Sequence, residues 1–288
     1  MYLIKIKNNN KISGRKTMKK IAMIMLILTG ICFCQNIQVL SNQTVLQNQN
    51  QHFAFPKFGP QGDKILVSSP KYRGLWLYEL EEQKLENLNT KNGAGYKAQF
   101  SADGKQILFR YNTYQNHRKY STLAIQDIQE SQLKTLVKDK RKLSPPHYYK
   151  KEAIMYNLQG NKQVFDLSRN TAREISALSK PVTSDPLAYT ENSNLIVQTK
   201  GQEKILNPVG EGHYIWGSLS PQKDRILFTL AGQGTYICDL EGNITAELGY
   251  ANYPSWSPDG KWIVAMQDQD DGHRITASEI VVKSANGK

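Results

Sequence analysis

A short turn motif recurs along the chain and constrains its fold more than any other feature. Its clearest copy is the tetrapeptide Ser-Pro-Asp-Gly at residues 257–260, which lies between residues 253–256 and the apolar run 262–266. Proline fixes φ, aspartate tolerates the left-handed region, and glycine adopts positive φ without steric cost, so the tetrapeptide favours a tight turn. An Asp-Gly turn between two β-prone segments is typical of a β-hairpin.

The same pattern occurs at three further places, each time just before a β-prone apolar segment. These copies lie at residues 58–67, 100–109 and 219–228. Asp63 and Asp103 are 40 residues apart, and Asp224 and Asp259 are 35 residues apart. Self-similarity at this spacing indicates a repeat array, and four strands in about 40–45 residues is the size of one β-propeller blade.

Counting the repeats predicts six blades. Residues 145–206 keep the strand pattern without the turn motif and account for two of them, and 254 residues from position 35 onwards give about 42 per blade. The sixth repeat supplies three strands, and the segment around residues 42–47 has the pattern of a fourth. We therefore predict an all-β fold, a six-bladed β-propeller closed by an N-terminal strand that completes the last blade and removes the free sheet edge.

Residues 1–34 have the layout of a secretory signal peptide, with Met18 as an alternative start. Two lysines precede an apolar run at residues 21–28, which is shorter than the roughly 20 residues that span a membrane. Small residues, Cys32 and Cys34, lie at the positions expected before a cleavage site at Gln35. We predict an exported protein, periplasmic or secreted, whose propeller domain is residues 35–288. A lipid anchor is disfavoured because bulky residues precede both cysteines.

The net charge of +12 is concentrated near the N-terminus. Residues 1–34 contain seven of the 37 Lys and Arg residues and no acid, so the rest of the chain carries only +5. This charge is low for a nucleic-acid-binding protein, and the export leader also argues against that class of partner. Beyond the leader only Cys238 remains, so we expect no internal disulfide and a buried thiol.

The turn at residues 257–261, the apolar strand after it, and the Ile-Val-Val segment ending in Asn-Gly-Lys at residues 286–288 resemble the repeat of the TolB-type β-propeller. The resemblance extends over residues 35–288 and is weakest at residues 145–206. It implies a periplasmic six-bladed propeller that acts as a protein-interaction module at the cell envelope. The N-terminal α/β domain found in that family has no counterpart in this sequence, so contacts that need it are not implied. The repeat also occurs beside enzyme domains, so it indicates fold better than function.

Aromatic and basic residues are concentrated just before the inner strands, where connectors open onto the mouth of the central channel. Such a rim suits an acidic or amphipathic peptide segment, while the simpler interpretation is that the rings pack between blades and the lysines are solvated. Lys180 and the basic run at residues 138–142 lie in the same connectors. The candidate partner-binding rim comprises His52, Tyr96, Lys97, His147, Tyr148, Tyr189, His213, Tyr214, Trp216 and Tyr253.

The sequence contains no nucleophile elbow, phosphate-binding glycine loop or zinc motif. The turn aspartates recur one blade apart, so we interpret them as hairpin residues rather than as converging ligands. We predict no enzyme activity, no catalytic residues, no metal and no cofactor, and expect a monomer that binds an envelope protein or a peptide segment. Two alternatives stay open: a propeller lyase, hydrolase or lactonase with its site at the channel mouth, and a carbohydrate-binding module.

Overall fold

The computed structural model describes residues 42–47, 52–150, 153–175, 185–270 and 275–287. These residues form 23 β-strands and one short 3₁₀ turn, and the strands make six antiparallel sheets. The first strand, β1, runs from Asn42 to Leu46. No helix within these ranges is long and apolar enough to cross a membrane.

The first three sheets follow the chain in order, four strands to a sheet. Blade 1 comprises β2 (Ala54–Phe58), β3 (Lys64–Ser68), β4 (Leu75–Glu79) and β5 (Lys84–Asn89), with the 3₁₀ turn Pro70–Tyr72 between β3 and β4. Blade 2 comprises β6 (Gln99–Phe100), β7 (Gln106–Gln115), β8 (Arg118–Asp127) and β9 (Leu133–Lys140). Blade 3 comprises β10 (His147–Lys150), β11 (Ala153–Leu158), β12 (Asn161–Asp166) and β13 (Thr171–Glu174).

The remaining sheets differ in strand number. Blade 4 has three described strands: β14 (Leu187–Glu191), β15 (Asn194–Thr199) and β16 (Gln202–Leu206). Blade 5 comprises β17 (Tyr214–Leu219), β18 (Arg225–Leu230), β19 (Gly234–Asp239) and β20 (Ile244–Gly249). Blade 6 contains β21 (Asn252–Trp256), β22 (Trp262–Asp270) and β23 (Ile275–Ser284), and its sheet order is β1-β23-β22-β21. The predicted all-β, six-bladed propeller is confirmed.

The sixth sheet joins the two ends of the described chain. β1 pairs antiparallel with β23, from Asn42 opposite Lys283 to Leu46 opposite Ile280. The Thr44 hydroxyl and the Gln47 side-chain amide both donate hydrogen bonds to the Glu279 carboxylate, at 3.0 and 2.7 Å. Backbone pairing and side-chain hydrogen bonds therefore both hold β1 against β23.

Apolar clusters between neighbouring blades form the core. Blades 1 and 2, 2 and 3, 4 and 5, 5 and 6, and 6 and 1 each share a cluster of buried side chains. Within the described ranges, blades 3 and 4 share none. Full burial of one such Leu, Ile or Phe side chain is worth about 1.5–3 kcal/mol, so these contacts dominate the stability of the propeller.

The Asp-containing turns are held by their own side chains. In blade 2, the Ser101 hydroxyl and the Lys105 backbone N–H donate to one Asp103 carboxylate oxygen, at 2.6 and 3.1 Å. Ser257 and Lys261 contact Asp259 of blade 6 in the same way, at 2.5 and 3.1 Å. The structure thus gives these carboxylates a hairpin role, in agreement with their interpretation from the sequence.

Neighbouring turns are also joined across the blade boundary. The Gln61 side-chain amide in blade 1 donates to the Asp103 carbonyl of blade 2 at 3.2 Å, and Gln222 in blade 5 donates to the Asp259 carbonyl of blade 6 at 3.0 Å. These bonds repeat at equivalent positions, so they fix neighbouring inner hairpins relative to each other.

Candidate functional site

The inner strands of blades 1, 2, 5 and 6 share a strained backbone position. In each, a residue with positive φ lies three positions before the last residue of the strand. Left-handed backbone costs a non-glycine residue roughly 1–2 kcal/mol, so its recurrence marks a property of the repeat. In blades 1, 5 and 6 it coincides with a register shift, a β-bulge that redirects the side chain. The four residues are Phe55 (φ 59°), Lys97 (56°), Trp216 (55°) and Tyr253 (49°).

Three of these side chains meet in one group of rings. The Tyr253 ring centroid lies 4.5 Å from that of Phe55 and 4.4 Å from that of Trp216. Tyr72 stacks on Phe55, with centroids 4.0 Å apart, and Tyr96 meets Tyr72 edge-on at 4.9 Å. We call Phe55, Tyr72, Tyr96, Trp216 and Tyr253 the aromatic cluster.

Each ring of the aromatic cluster is partly packed against its neighbours and partly exposed to solvent. All five residues are half-buried, so each ring contributes to the interior and to the surface. Aromatic pairs at these separations contribute about 0.5–1.5 kcal/mol beyond their buried area. Partly exposed aromatic side chains held in a fixed arrangement are typical of the residues that dominate protein interfaces.

Tyr72 is held through both its backbone and its hydroxyl. It ends the 3₁₀ turn, where Lys71 and Tyr72 have φ values of 64° and 59°. The Gly95 N–H donates to the Tyr72 carbonyl at 3.1 Å, and the Tyr72 and Tyr253 hydroxyls are 3.3 Å apart. Burial, and then the hydrogen bond with Tyr253, raise the pKa of Tyr72 well above its ordinary value. A protonated hydroxyl therefore lies within the apolar surface.

Two cations lie beside Tyr96. The Arg110 guanidinium carbon and the Lys97 Nζ are each 5.8 Å from the Tyr96 ring centroid, within the range of a cation–π contact. Arg110 Nη1 donates to the Leu143 carbonyl at 2.6 Å, and its Nε is buried without a hydrogen-bond partner in the described part of the chain. Burial lowers the pKa of Arg110, but a guanidinium stays charged in proteins. One side of the cluster is therefore positive.

A further cation lies on the strand that carries Phe55. The Lys57 side chain is exposed, although Pro56 and Phe58 on either side are buried. Burial by the surrounding protein nevertheless lowers the pKa of its ammonium group. Among the described residues none forms an ion pair with Lys57, so its charge is available to a bound group.

The other rim candidates do not belong to the aromatic cluster, and Tyr214 departs furthest from expectation. Tyr214 is 2% exposed, packs against Phe228 at 5.5 Å, and donates its hydroxyl to the Gly210 carbonyl at 2.6 Å. The structure thus places Tyr214 in the core between blades 4 and 5, because the bulge begins only after it. Tyr189 donates to a Glu203 carboxylate oxygen at 3.1 Å on the surface of blade 4.

The three histidines of the predicted rim and Tyr148 are also not members of the aromatic cluster. His213 Nδ1 is 2.9 Å from the Ser193 hydroxyl, and His52 Nδ1 is buried without a partner in the described ranges. Burial and the charge of Lys97 lower the pKa of His147. Burial raises the pKa of Tyr148 to about 12, and its ring packs on the cluster between blades 2 and 3. Lys180 lies outside the described residues.

Four residues of the site were not predicted from the sequence. Phe55 could have been found, because it occupies the same repeat position as Trp216 and Tyr253. Tyr72 comes from the 3₁₀ turn after β3 and Arg110 from β7, the second strand of blade 2, and no repeated sequence pattern marks either residue. Lys57 was hidden because its neighbours form an ordinary apolar strand.

Groups for metal or nucleophilic chemistry are sparse in the described ranges. There, no three His, Cys, Asp or Glu side chains lie close enough together to hold a metal ion. Cys238 is fully buried, and burial raises the pKa of its thiol to about 12, so it is not a thiolate at neutral pH. The site offers aromatic faces, hydroxyls and cations, which are groups suited to recognition.

Comparison with known proteins finds similar solved structures only. No family model and no curated protein sequence matches the chain. A crystal structure of TolB from Acinetobacter baumannii matches at 18% identity and a TM-score of 0.39, over 85% of this chain and 57% of that one. The TolB-type resemblance seen in the turns is thus matched by a solved TolB structure, of whose length this chain spans 57%.

Two other matches are propellers named for enzymes. An oligogalacturonate lyase in complex with manganese matches at 10% identity and a TM-score of 0.44, over 80% of this chain and 76% of that one. A protein named as a gluconolactonase matches at 11% identity and a TM-score of 0.48, over 86% and 93%. At these identities and TM-scores the matches support no argument about activity or partners.

Proposed function

We propose that this protein is an exported β-propeller, periplasmic or secreted, which binds another envelope protein or a peptide segment through the aromatic cluster. The observation that carries the proposal is the convergence of five half-buried rings from four blades, three of them (Phe55, Trp216 and Tyr253) at the repeated positive-φ position. The proposed domain is residues 35–288. The proposed leader, residues 1–34, lies outside the described residues.

The physical basis is pre-organisation. Aromatic rings supply a large contact area with few rotatable bonds, so little conformational entropy is lost when they bind. Mutual stacking and the hydrogen bond between Tyr72 and Tyr253 fix the rings before a partner arrives, which lowers the ordering cost of association. Lys97 and Arg110 beside Tyr96 add attraction for a partner that carries carboxylates.

Paired substitutions test this role. The partner is first identified by crosslinking in the intact envelope, and its capture is then measured with Trp216→Ala/Tyr253→Ala protein. We expect capture to weaken at least about tenfold, because each ring acts as an interface hot spot. The control, Tyr250→Ala/Ile205→Ala, removes two exposed apolar side chains outside the cluster and should capture normally. A folded cluster variant that captures like the wild type would contradict the proposal.

Two alternative functions have their own measurements. The half-exposed Trp216 and Tyr253 rings could stack on a sugar, and specific binding on a glycan array would favour a carbohydrate-binding module. An enzyme of the lyase, hydrolase or lactonase type would draw support from stoichiometric calcium or zinc in purified protein. Loss of partner capture in the cluster variant, without glycan binding or bound metal, favours the protein-binding function.

We also propose that β1 closes the propeller ring. Support comes from its pairing with β23 and from Val45 and Leu46, which pack against the cluster shared by blades 6 and 1. Deleting residues 42–47 should therefore lower the melting temperature by about 10 °C or more, or prevent folding. A deletion variant that melts like the wild type would overturn closure by this strand.

A further inference from the structure

The outer edge of blade 2 carries a positive charge that the other outer strands lack. β9 contains three lysines and one aspartate, a net charge of +2, and Arg141 and Lys142 directly after it raise the charge to +4. By contrast, β5 and β13 are each neutral and β20 carries −1. Among the described fourth strands of blades 1, 2, 3 and 5, the charge is thus specific to blade 2 and is not a general device for protecting sheet edges.

The single acid of this segment is directed into the blade. One Asp139 carboxylate oxygen lies 3.4 Å from the Thr113 hydroxyl and 3.3 Å from the Thr122 hydroxyl. The Asp139 N–H also donates to the Thr122 hydroxyl, at 3.1 Å. Its charge is therefore held by threonines, while the flanking cations Lys138 and Lys140 are exposed.

The hairpin between β7 and β8 extends the positive surface. Arg118 and Lys119 are exposed at the start of β8, which pairs with β9 as far as Ser121 opposite Lys140. We call Arg118, Lys119, Lys138, Lys140, Arg141 and Lys142 the basic edge. Within the described ranges none of the six forms an ion pair.

An exposed aromatic residue lies next to the basic edge. Tyr114 is opposite Lys119 in the hairpin and is 64% exposed, the highest value among the large apolar side chains described. The backbone at the end of the basic edge is fixed, because the Gln159 N–H donates to the Lys142 carbonyl at 3.1 Å and Arg110 donates to the Leu143 carbonyl at 2.6 Å. Long cationic side chains therefore project from a rigid support.

We propose that the basic edge docks on an anionic phospholipid surface, with Tyr114 at the level of the headgroups. The cations project from an outer strand and a hairpin tip, so they face a broad surface rather than a groove. A cluster of four to eight cations binds an anionic bilayer through roughly additive attraction, and tyrosine favours the membrane–water interface. The basic edge is separate from the aromatic cluster in its side chains, so membrane docking goes beyond the proposed partner binding.

Vesicle binding tests the proposal with purified protein. Wild-type protein should bind phosphatidylcholine vesicles that contain about one third phosphatidylglycerol, should ignore pure phosphatidylcholine, and should bind less as salt rises. The variant Lys138→Gln/Lys140→Gln/Arg141→Gln/Lys142→Gln should bind at least about tenfold more weakly. The control variant loses the same total charge from four exposed lysines outside the basic edge: Lys84→Gln/Lys105→Gln/Lys204→Gln/Lys261→Gln. It should bind anionic vesicles like the wild type.

Three results would overturn the proposal: no binding of wild-type protein to anionic vesicles, equal loss in both folded quadruple variants, or basic-edge-dependent binding of poly-glutamate without vesicle binding. The last result would assign the basic edge to an acidic protein. Tyr114→Trp gives an independent readout. Its fluorescence should be quenched by brominated anionic vesicles more than that of the parent protein, and no added quenching would contradict the placement of Tyr114.

Discussion

Blades 1, 2, 5 and 6 differ from blades 3 and 4 in their turns, inner strands and packing. Side chains brace the turns of blades 2, 5 and 6, and all four blades of the first group have a positive-φ residue in or just before the inner strand. In blade 4, β14 pairs with β15 residue for residue, without a bulge. Of the six exposed large hydrophobic residues in the described ranges, blades 3 and 4 contribute three, Tyr149, Leu187 and Ile205.

The positive-φ residues and the aromatic cluster both occur in the blades that pack tightly against each other. A residue at positive φ persists only where the surrounding structure determines it, and tight inter-blade packing supplies that determination. Every member of the aromatic cluster comes from the well-packed blades. The aromatic cluster, which we propose as the binding surface, is therefore confined to one arc of the propeller, and we expect easier local opening in the other arc.

The largest contrast should appear in the core. Leu77 in blade 1 is 1% exposed, whereas Leu187 in blade 4 is 45% exposed. We expect Leu77→Ala to lower the free energy of unfolding by about 2–5 kcal/mol, because it leaves a cavity. The same change at Leu187 should stay within about 0.5 kcal/mol. Urea unfolding measures both, and equal losses would break the distinction between the two arcs.

The strained position should give a smaller and more specific effect. Tyr253 has φ of 49°, so glycine there avoids the strain that alanine would keep, and Tyr253→Gly should be at least as stable as Tyr253→Ala. Tyr189 lies in a regular strand, where glycine should be less stable than alanine by about 0.5–1 kcal/mol. Thermal unfolding of the four variants shows whether the glycine or the alanine variant is more stable at each position. The same order of stability at Tyr253 and Tyr189 would contradict the bulge.

The turn motif should make a small contribution that depends on pH. Hydrogen bonds from Ser101 and then from the Lys105 N–H lower the pKa of Asp103. A carboxyl whose pKa falls on folding adds stability above its unfolded pKa, about 3.9, and loses that contribution as the pH falls through its folded pKa. Asp103→Asn should therefore reduce stability at neutral pH by less than about 1 kcal/mol, since the group is exposed.

The difference between Asp103→Asn and the wild type should shrink at about pH 3. Glu82→Gln, at an exposed position in the hairpin of blade 1, serves as the control for loss of one negative charge. Denaturant unfolding at the two pH values measures the effect. If the difference in unfolding free energy between Asp103→Asn and the wild type grew as the pH fell, the pKa of Asp103 would not be lowered on folding.

The fold could be predicted from the sequence because its strongest constraints are local. The Ser-Pro-Asp-Gly turn depends on residues within five positions of each other, as the hydrogen bonds of Ser257 and Asp259 show. The six blades follow from repeating that unit. Blade 4 was harder to define, because without the motif only the alternation of Leu195 and Val197, both buried, marks a strand.

The site was predicted only in part, because its contacts are non-local. Trp216 and Tyr253 could be found from their position before the inner hairpin. The sequence placed Tyr214 in the connector before the inner strand, whereas in the structure it is the first residue of β17 and is buried ahead of the bulge between Ile215 and Ser218. Tyr72 meets Tyr253 across 181 residues, a contact that exists only once blades 1 and 6 are neighbours.

Site-specific photo-crosslinking in intact cells tests the central claim most directly, namely that the aromatic cluster is the surface that contacts the partner. A photoreactive phenylalanine analogue replaces Trp216 in the cluster or Ile205, which is 56% exposed in blade 4. The account predicts a discrete crosslinked protein from position 216 and none from position 205. Crosslinking from position 205 alone, or the same adduct in equal yield from both positions, would contradict it.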